Sequence, residues 1–342
     1  MEKIPVIIDC DPGHDDMMAL VLAWGSGKLD IKAVTTVAGN NTIYNTTQNA
    51  LNVMHYIGAD EVPVAMGFQN PMVRSHAEQM EKMAANRRKM RPEPQEQGQK
   101  ITGAAVHGKS GMDGFEFPAE NPKTVADLRS VEMMAKILRE SEEQVTIISM
   151  GPLTNLGFLI RLYPDVLPKI KRISMMGGTS EFILTRPFME FNTYVDPEAS
   201  KIVFESGLPI TMFGYDVTYR VLFNQDTVDR LYAIGNNTGK MVADLLSFFR
   251  ASHNKALTRL NLGDNAPIHD ACAVAGVIDP TLVTDVRPMH VDIAVGGDLL
   301  DGATVCDYQG ALEFLPKNVD VVYNMDTPRF LDMLVSAAAA CN

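Results

Sequence analysis

Short apolar runs that stop at a glycine or an aspartate, each followed by a stretch with helical spacing, recur along the chain. Val6-Ile7-Ile8 runs into Asp9-Cys10-Asp11-Pro12-Gly13, the pattern of a buried strand that meets a turn. Over residues 15–24, Met18, Ala19 and Leu22 share one side of a predicted helix. Residues 31–37 are rich in β-branched side chains and lead to Gly39, which predicts a second strand. A helix is expected over 42–57 and a short strand over 62–66. Val145-Thr146-Ile147-Ile148 reads as another buried strand, closed by Met150-Gly151-Pro152, with a helix from about Leu153. Residues 173–176 end at Gly177-Gly178, residues 197–205 form a helix with proline in its first turn, and residues 209–213 end at Gly214. Strand, polar turn and helix in alternation predict an α/β fold, with an open, mostly parallel, Rossmann-like central sheet flanked by helices. Such folds bind ligands at the carboxyl ends of their strands, so the polar residues just past each run are the ones to inspect.

One segment breaks the alternation. Residues 75–100 hold few aliphatics, include Arg87-Arg88-Lys89-Met90-Arg91 and continue into Pro92-Glu93-Pro94-Gln95. This reads as a mobile surface insertion with one helical stretch, its basic run solvated rather than anion-binding. No tandem repeat or linker appears elsewhere, so residues 1–342 are expected to form one domain. The chain is 46% hydrophobic, enough for a packed core. Thirty basic against 42 acidic residues give a net charge of −12, which disfavours nucleic acid as a partner. No apolar run reaches the ~18 residues that span a bilayer, so no membrane partner is expected. The N-terminus enters a strand-like run with no signal-peptide core, and the four cysteines form no spaced pairs. Both features point to reduced thiols in the cytoplasm rather than a disulfide or zinc framework.

The chemistry concentrates at the first strand end. Asp9, Asp11, Asp15 and Asp16 crowd one strand–turn–helix junction. Carboxylates this close repel one another unless protons or a cation compensate. Oxygen-only ligands on a tight turn suit a hard divalent ion, Ca²⁺ or Mg²⁺, rather than zinc. Helix capping would explain one or two of these aspartates, not four. A second cluster is His269-Asp270-Ala271, where Asp270 opens an apolar helical stretch and His269 suits proton transfer near neutral pH. Glu190 and Asn192 alternate along a stretch expected to be extended, so they point the same way and pair a carboxylate with an amide, a combination suited to sugar hydroxyls. Asp196 precedes Pro197 and reads as a helix cap. Asn40 sits at another strand end, and His107 lies in the glycine-rich run His107-Gly108-Lys109-Ser110-Gly111.

Taken together these blocks resemble the nucleoside hydrolase family, the inosine–uridine preferring nucleoside N-ribohydrolases. The resemblance rests on Asp9-Cys10-Asp11-Pro12-Gly13-His14-Asp15-Asp16, then Val37-Ala38-Gly39-Asn40, His107-Gly108-Lys109-Ser110-Gly111 and Gly151-Pro152-Leu153-Thr154-Asn155. It continues through Met176-Gly177-Gly178, Glu190-Phe191-Asn192 with Asp196-Pro197-Glu198-Ala199, and His269-Asp270-Ala271. The opening aspartate block is the most specific, and the order of all blocks matches over residues 6–275.

The resemblance implies hydrolysis of the N-glycosidic bond of ribonucleosides in purine and pyrimidine salvage. It implies Ca²⁺ held by Asp11, Asp16, Asp270 and the Met150 carbonyl. Asp15 would hold a ribose hydroxyl, with Asn40, Met176, Glu190, Asn192 and Asp270 around the sugar. Asp11 would take a proton from the metal-bound water, His269 would protonate the departing base, and His107 would lie near that base. The family also implies a homodimer or homotetramer. The chemistry is consistent: anionic side chains stabilise an oxocarbenium-like sugar, and a proton turns a poor leaving group into a neutral base. No basic phosphate cradle accompanies the motifs, which favours nucleosides over nucleotides.

Residues 74–107 are longer than in usual members, and residues 179–189 carry no motif of the family. Phe188, Tyr215, Tyr219 and Phe223 are the aromatics that could stack on a base, while Trp24 belongs to the core of the first helix. Two rival readings remain. A haloacid dehalogenase-type Mg²⁺ phosphatase would use Asp9 as nucleophile and Gly263-Asp264-Asn265 as its late acidic motif, but lacks a suitable lysine. A non-catalytic nucleoside-binding protein would share the scaffold without turnover.

Overall fold

The computed structural model describes residues 2–90, 106–181, 189–297, 300–311 and 314–341. The chain begins with β1 (Ile4–Cys10), α1 (His14–Gly25), β2 (Leu29–Thr36), α2 (Ile43–Tyr56), β3 (Val64–Met66) and α3 (His76–Met90). There follow α4 (Ser130–Glu140), β4 (Val145–Ser149), α5 (Thr154–Leu162), β5 (Ile170–Met176), α6 (Phe191–Val195), α7 (Pro197–Phe204) and β6 (Ile210–Phe213). Next come α8 (Tyr215–Thr218), β7 (Leu222–Phe223), α9 (Gln225–Ala233), α10 (Asn237–Ala256), β8 (Ala266–Pro267) and α11 (Asp270–Ile278). The last elements are β9 (Val283–Met289), β10 (Val291–Ile293), β11 (Thr304–Cys306), β12 (Val319–Met325) and α12 (Thr327–Ala340).

Eight strands form the central sheet in the order β3-β2-β1-β4-β5-β6-β12-β9. All neighbours run parallel except β12 and β9, which form an antiparallel edge. β1 is covered on both faces, which is why Val6-Ile7-Ile8 is a continuous apolar run rather than an alternating one. One apolar cluster packs α1, α2, α10, α11 and α12 on one face. A second, built from α4, α5 and α7, fills the other. Burial of each large aliphatic side chain contributes roughly 1.5–3 kcal/mol to this arrangement. α1 and α12 approach so closely that a Cβ on Gly25 would lie 2.1 Å from the Ala337 carbonyl oxygen.

The parallel strands of the sheet end on one edge, where Asp9, Met150, Met176 and Gly214 all lie at or just beyond strand ends. The expected open, mostly parallel sheet is therefore present. Residues 76–90 form a helix, the one helical stretch expected in the insertion, and its first half packs on the protein, with Gln79 fully buried. Residues 91–100 of that insertion lie outside the described residues.

Candidate active site

The floor of the site is acidic. β1 delivers Asp9 and leads directly to Asp11, α1 contributes Asp15 and Asp16 from its first turn, and α11 contributes Asp270 as its first residue. Ligand oxygens of Asp15, Asp16 and Asp270 all lie within 4.8 Å of one another. The turn holds this geometry through Asp16, whose carboxylate accepts the Asp11 N–H at 3.1 Å and the Gly13 N–H at 2.9 Å. That is the capping component of the cluster, and it occupies one aspartate. Asp11 accepts the Asn40 N–H on Oδ2 at 2.6 Å. Its Oδ1, like Oδ1 of Asp15, is buried without a hydrogen-bond partner. The Asn40 side-chain amide donates to the Asp11 carbonyl and to Asp16 Oδ2, both at 3.3 Å. Glycine is required before it, because a Cβ on Gly39 would lie 2.1 Å from Asp11 Oδ2.

Burial raises the carboxyls of Asp11 and Asp270 well above the ordinary range, and the neighbouring aspartates push them further. Asp16 is raised to about 7 by burial and by Asp15. Burial and mutual repulsion, not any lysine or arginine, dominate these shifts.

The second wall is built around α6. Glu190 is its N-cap and accepts the backbone N–H groups of Asn192 at 2.8 Å, Thr193 at 3.2 Å and Gly178 at 3.1 Å. Burial lifts Glu190 to about 7 despite those donors. Asn192 donates from Nδ2 to the carbonyls of Met150 at 2.7 Å and Met176 at 3.2 Å. The expected extended alternation of Glu190 and Asn192 is not what brings them together: the helix starts at Phe191, and the cap and the first turn converge instead. Asp196 is the expected cap of α7, accepting from the Ala199 N–H at 3.0 Å.

Above the floor lies a group of histidines and aromatic rings. His269 ends the loop before α11, with its Nδ1 2.7 Å from the Thr218 hydroxyl. Its ring lies 5.0 Å from Tyr219 and 5.6 Å from Tyr215, centroid to centroid. His107 stacks 5.6 Å from Phe249 and contacts His14, Nδ1 to Nδ1 at 3.1 Å. His14 reaches the Asp113 carbonyl through Nε2 at 2.8 Å. Burial lowers His107 and His269 to about 4 and His14 to about 3, so all three are neutral at pH 7. The Asp15 carboxylate acts in the opposite sense on His269 and on His253, which ties this roof to the acidic floor.

His253, on α10, was not anticipated. It is buried beside Phe249 and Tyr219, and its Nε2 has no hydrogen-bond partner. In the sequence it is one histidine in the last turn of a long helix, a common place for a cation beside the dipole, and nothing local marks it as functional. Of the stacking candidates, Tyr215 and Tyr219 border His269, Phe223 is buried core and Phe188 lies outside the described residues. Trp24 packs against the core as expected.

Asp9 does not behave as a nucleophile. It is fully buried, and its Oδ1 accepts from the Thr35 hydroxyl at 2.6 Å and the Asn155 amide at 2.7 Å. Asp264, the echo of a late phosphatase motif, is exposed and pairs with Arg250 at 2.6 Å. The phosphatase reading fails on both residues.

The family model described as inosine-uridine preferring nucleoside hydrolase matches residues 6–332. The pyrimidine-specific ribonucleoside hydrolases RihA of Escherichia coli O1:K1 and of Shigella flexneri are each 38% identical over 331 residues, covering 97% of this chain and 97% of theirs. The solved purine-preferring ribonucleoside hydrolase from Gardnerella vaginalis superimposes with a TM-score of 0.82 at 26% identity, covering 98% of both chains. The plant nucleoside hydrolase PpNRh1 gives 0.81 at 26%, covering 98% of this chain and 99% of that one. With its aspartate floor at the strand ends, the chain belongs to the inosine-uridine preferring nucleoside hydrolases and is an enzyme that hydrolyses the N-glycosidic bond of ribonucleosides.

Proposed function

We propose a calcium-dependent ribonucleoside hydrolase with a preference for pyrimidine bases. The observation that carries the metal is the convergence of Asp15, Asp16 and Asp270 within 4.8 Å, with Asp15 Oδ1 and, outside that trio, Asp11 Oδ1 buried without a hydrogen-bond partner. All donors are hard oxygens, which favours Ca²⁺ over softer ions. Asp11, Asp16, Asp270 and the Met150 carbonyl would hold the ion. When bound it neutralises the cluster, orients water and lowers that water's pKa.

The residues divide the remaining work. Asp11 acts as general base towards the attacking water. Asp15 receives a ribose hydroxyl, and Asn40, Met176, Glu190, Asn192 and Asp270 line the sugar. Their combined negative field stabilises the positive charge that develops on the ribosyl group as the bond to the base stretches. His269, steadied at Nδ1 by Thr218, presents Nε2 to the departing base, and His107 borders it. His253 and Tyr219 complete the wall on the base side.

The pyrimidine preference rests on the RihA relatives, which share more sequence with this chain than the purine-preferring structure does. A homodimeric or homotetrameric enzyme of the cytoplasm is the matching physiological form. No helix among the described residues is long and apolar enough to cross a membrane. Ribose release from uridine, cytidine, inosine and adenosine, with calcium and after chelation, tests the proposal. Uridine and cytidine should exceed the purines at least tenfold in kcat/KM, and chelation should abolish turnover. Equal rates on inosine would overturn the base preference, and full activity in chelator would overturn the metal.

A further inference from the structure

The helix α3 lies in the segment that breaks the strand–helix alternation, yet its first residue reaches the acidic floor. His76 Nε2 lies 3.1 Å from the Gly39 carbonyl oxygen. A carbonyl can only accept, so Nε2 carries the proton and donates it. Gly39 and Asn40 form the turn that fixes two carboxylates. The Asn40 N–H binds Asp11 Oδ2 at 2.6 Å, and the Asn40 amide reaches Asp16 Oδ2 at 3.3 Å. His76 therefore grips the support of the floor, one peptide away from it.

The same face of α3, one turn on, is fastened to the other wall. Gln79 is fully buried and donates to the Tyr194 carbonyl at 2.5 Å, and Tyr194 belongs to α6, the helix that Glu190 caps and that carries Asn192. Lys82 pairs with buried Asp301 at 2.5 Å, and Met83 packs with Met189, Tyr194 and Ala303. The His76 N–H is itself held by Asn70 Oδ1 at 3.1 Å. The first two turns of α3 thus bridge the Gly39–Asn40 turn and α6. His76 starts a fastened helix, so its imidazole is presented from a rigid element rather than a loose loop.

We propose that His76 is a positioning residue for nucleoside hydrolysis, holding the Gly39–Asn40 turn so that Asp11 and Asp16 keep their orientation, with α3 as the brace that carries it. This deepens the hydrolase reading and rests on it. Groups one step removed from metal-ligating carboxylates are typically worth 10- to 100-fold in activity or metal affinity. Because the carboxylates act on charge that develops in the transition state, the loss belongs in kcat more than in KM.

The test compares His76→Phe, which keeps a ring without a donor, with His76→Gln, which keeps an N–H within reach of a carbonyl. Each full-length variant is assayed for uridine hydrolysis at saturating calcium. Each is also titrated with Ca²⁺ alone by calorimetry after chelator stripping, and thermal melts verify folding. His76→Phe should lower kcat about 10- to 100-fold, weaken Ca²⁺ binding about tenfold or more and leave KM within about threefold. His76→Gln should recover most of both losses. Wild-type kcat and Ca²⁺ affinity in His76→Phe would overturn the inference, as would a glutamine variant as impaired as the phenylalanine one. A wild-type protein that bound Ca²⁺ but cleaved no nucleoside would sink the hydrolase reading instead, and the calorimetric arm would still judge His76.

Discussion

Calcium should compete with protons for this site, and the competition is steep enough to measure. Burial and repulsion raise Asp11 and Asp270 well above the ordinary carboxylate range and Asp16 from 3.8 to about 7. A carboxyl must lose its proton before it can ligate a cation. Below pH 7, Asp16 alone makes the affinity fall about tenfold per pH unit, or about 1.4 kcal/mol. Asp11 and Asp270, raised by the same burial and repulsion, act in the same direction. Between pH 7 and pH 5 the binding constant should therefore fall by about 10² through Asp16 alone. The sign is fixed: a raised acid holds its proton in the ion-free native state, so binding releases protons at pH 6 and fewer at pH 8. His14, His107 and His269, lowered by burial to about 3–4, are already almost wholly neutral from pH 8 to pH 5 and release few protons of their own. Calorimetry in two buffers of different ionisation enthalpy counts the released protons directly. The calcium-induced rise in Tm should shrink in parallel as pH falls. A binding constant that stayed flat from pH 8 to pH 5, with no proton released, would mean that the aspartates are ordinary carboxylates and that crowding is not what prepares the site.

Three further outcomes follow from single residues. Asp11→Asn should lower kcat by about 10² to 10⁴, the usual worth of a general base, while melting no earlier than the wild type, because it replaces a carboxyl that burial disfavours in its charged form; ribose release and a thermal melt decide both halves. His269→Ala should slow uridine hydrolysis far more than hydrolysis of a 4-nitrophenyl riboside, whose leaving group needs no proton, and equal losses on the two substrates would remove His269 as the acid. Gly25→Ala should cost about 1–3 kcal/mol, because its Cβ would meet the Ala337 carbonyl oxygen at 2.1 Å; Tm should fall while kcat stays unchanged.

The aspartate floor is readable from sequence because its first members are local. Asp11, Asp15 and Asp16 occupy one strand–turn–helix junction, and charge crowding is visible without a fold. Asp270 is 254 residues from Asp16, so only the resemblance could place it there. The sheet was equally open to reading, since covered parallel strands announce themselves as apolar runs. The anchoring of α3, rather than its helicity, escapes the sequence because hydrophobic periodicity cannot see polar contacts. Gln79, Lys82 and His76 fasten it through amide, ion-pair and imidazole contacts to Tyr194, Asp301 and Gly39. Glu190 and Asn192 meet by a different geometry from the expected extended alternation, because an N-cap and its helix's first turn also bring residues two apart onto one point.

The floor and the roof also depend on each other electrically. Asp15 acts on His253 and His269, so a proton on either ring would offset part of the negative field of the floor. Burial, which costs an imidazolium its hydration, keeps these rings neutral at pH 7. The carboxylates' field is then left for cations that the rings do not supply, the metal and the developing ribosyl group. Neutrality leaves His269 one N–H to aim at the base. As the glycosidic bond stretches, charge builds on the base, that N–H stabilises it through a hydrogen bond that strengthens in the transition state, and the same charge raises the ring's proton affinity so that a proton taken up from solvent completes the transfer. A histidine that was already cationic in the resting enzyme would donate more readily, but it would bind the floor first.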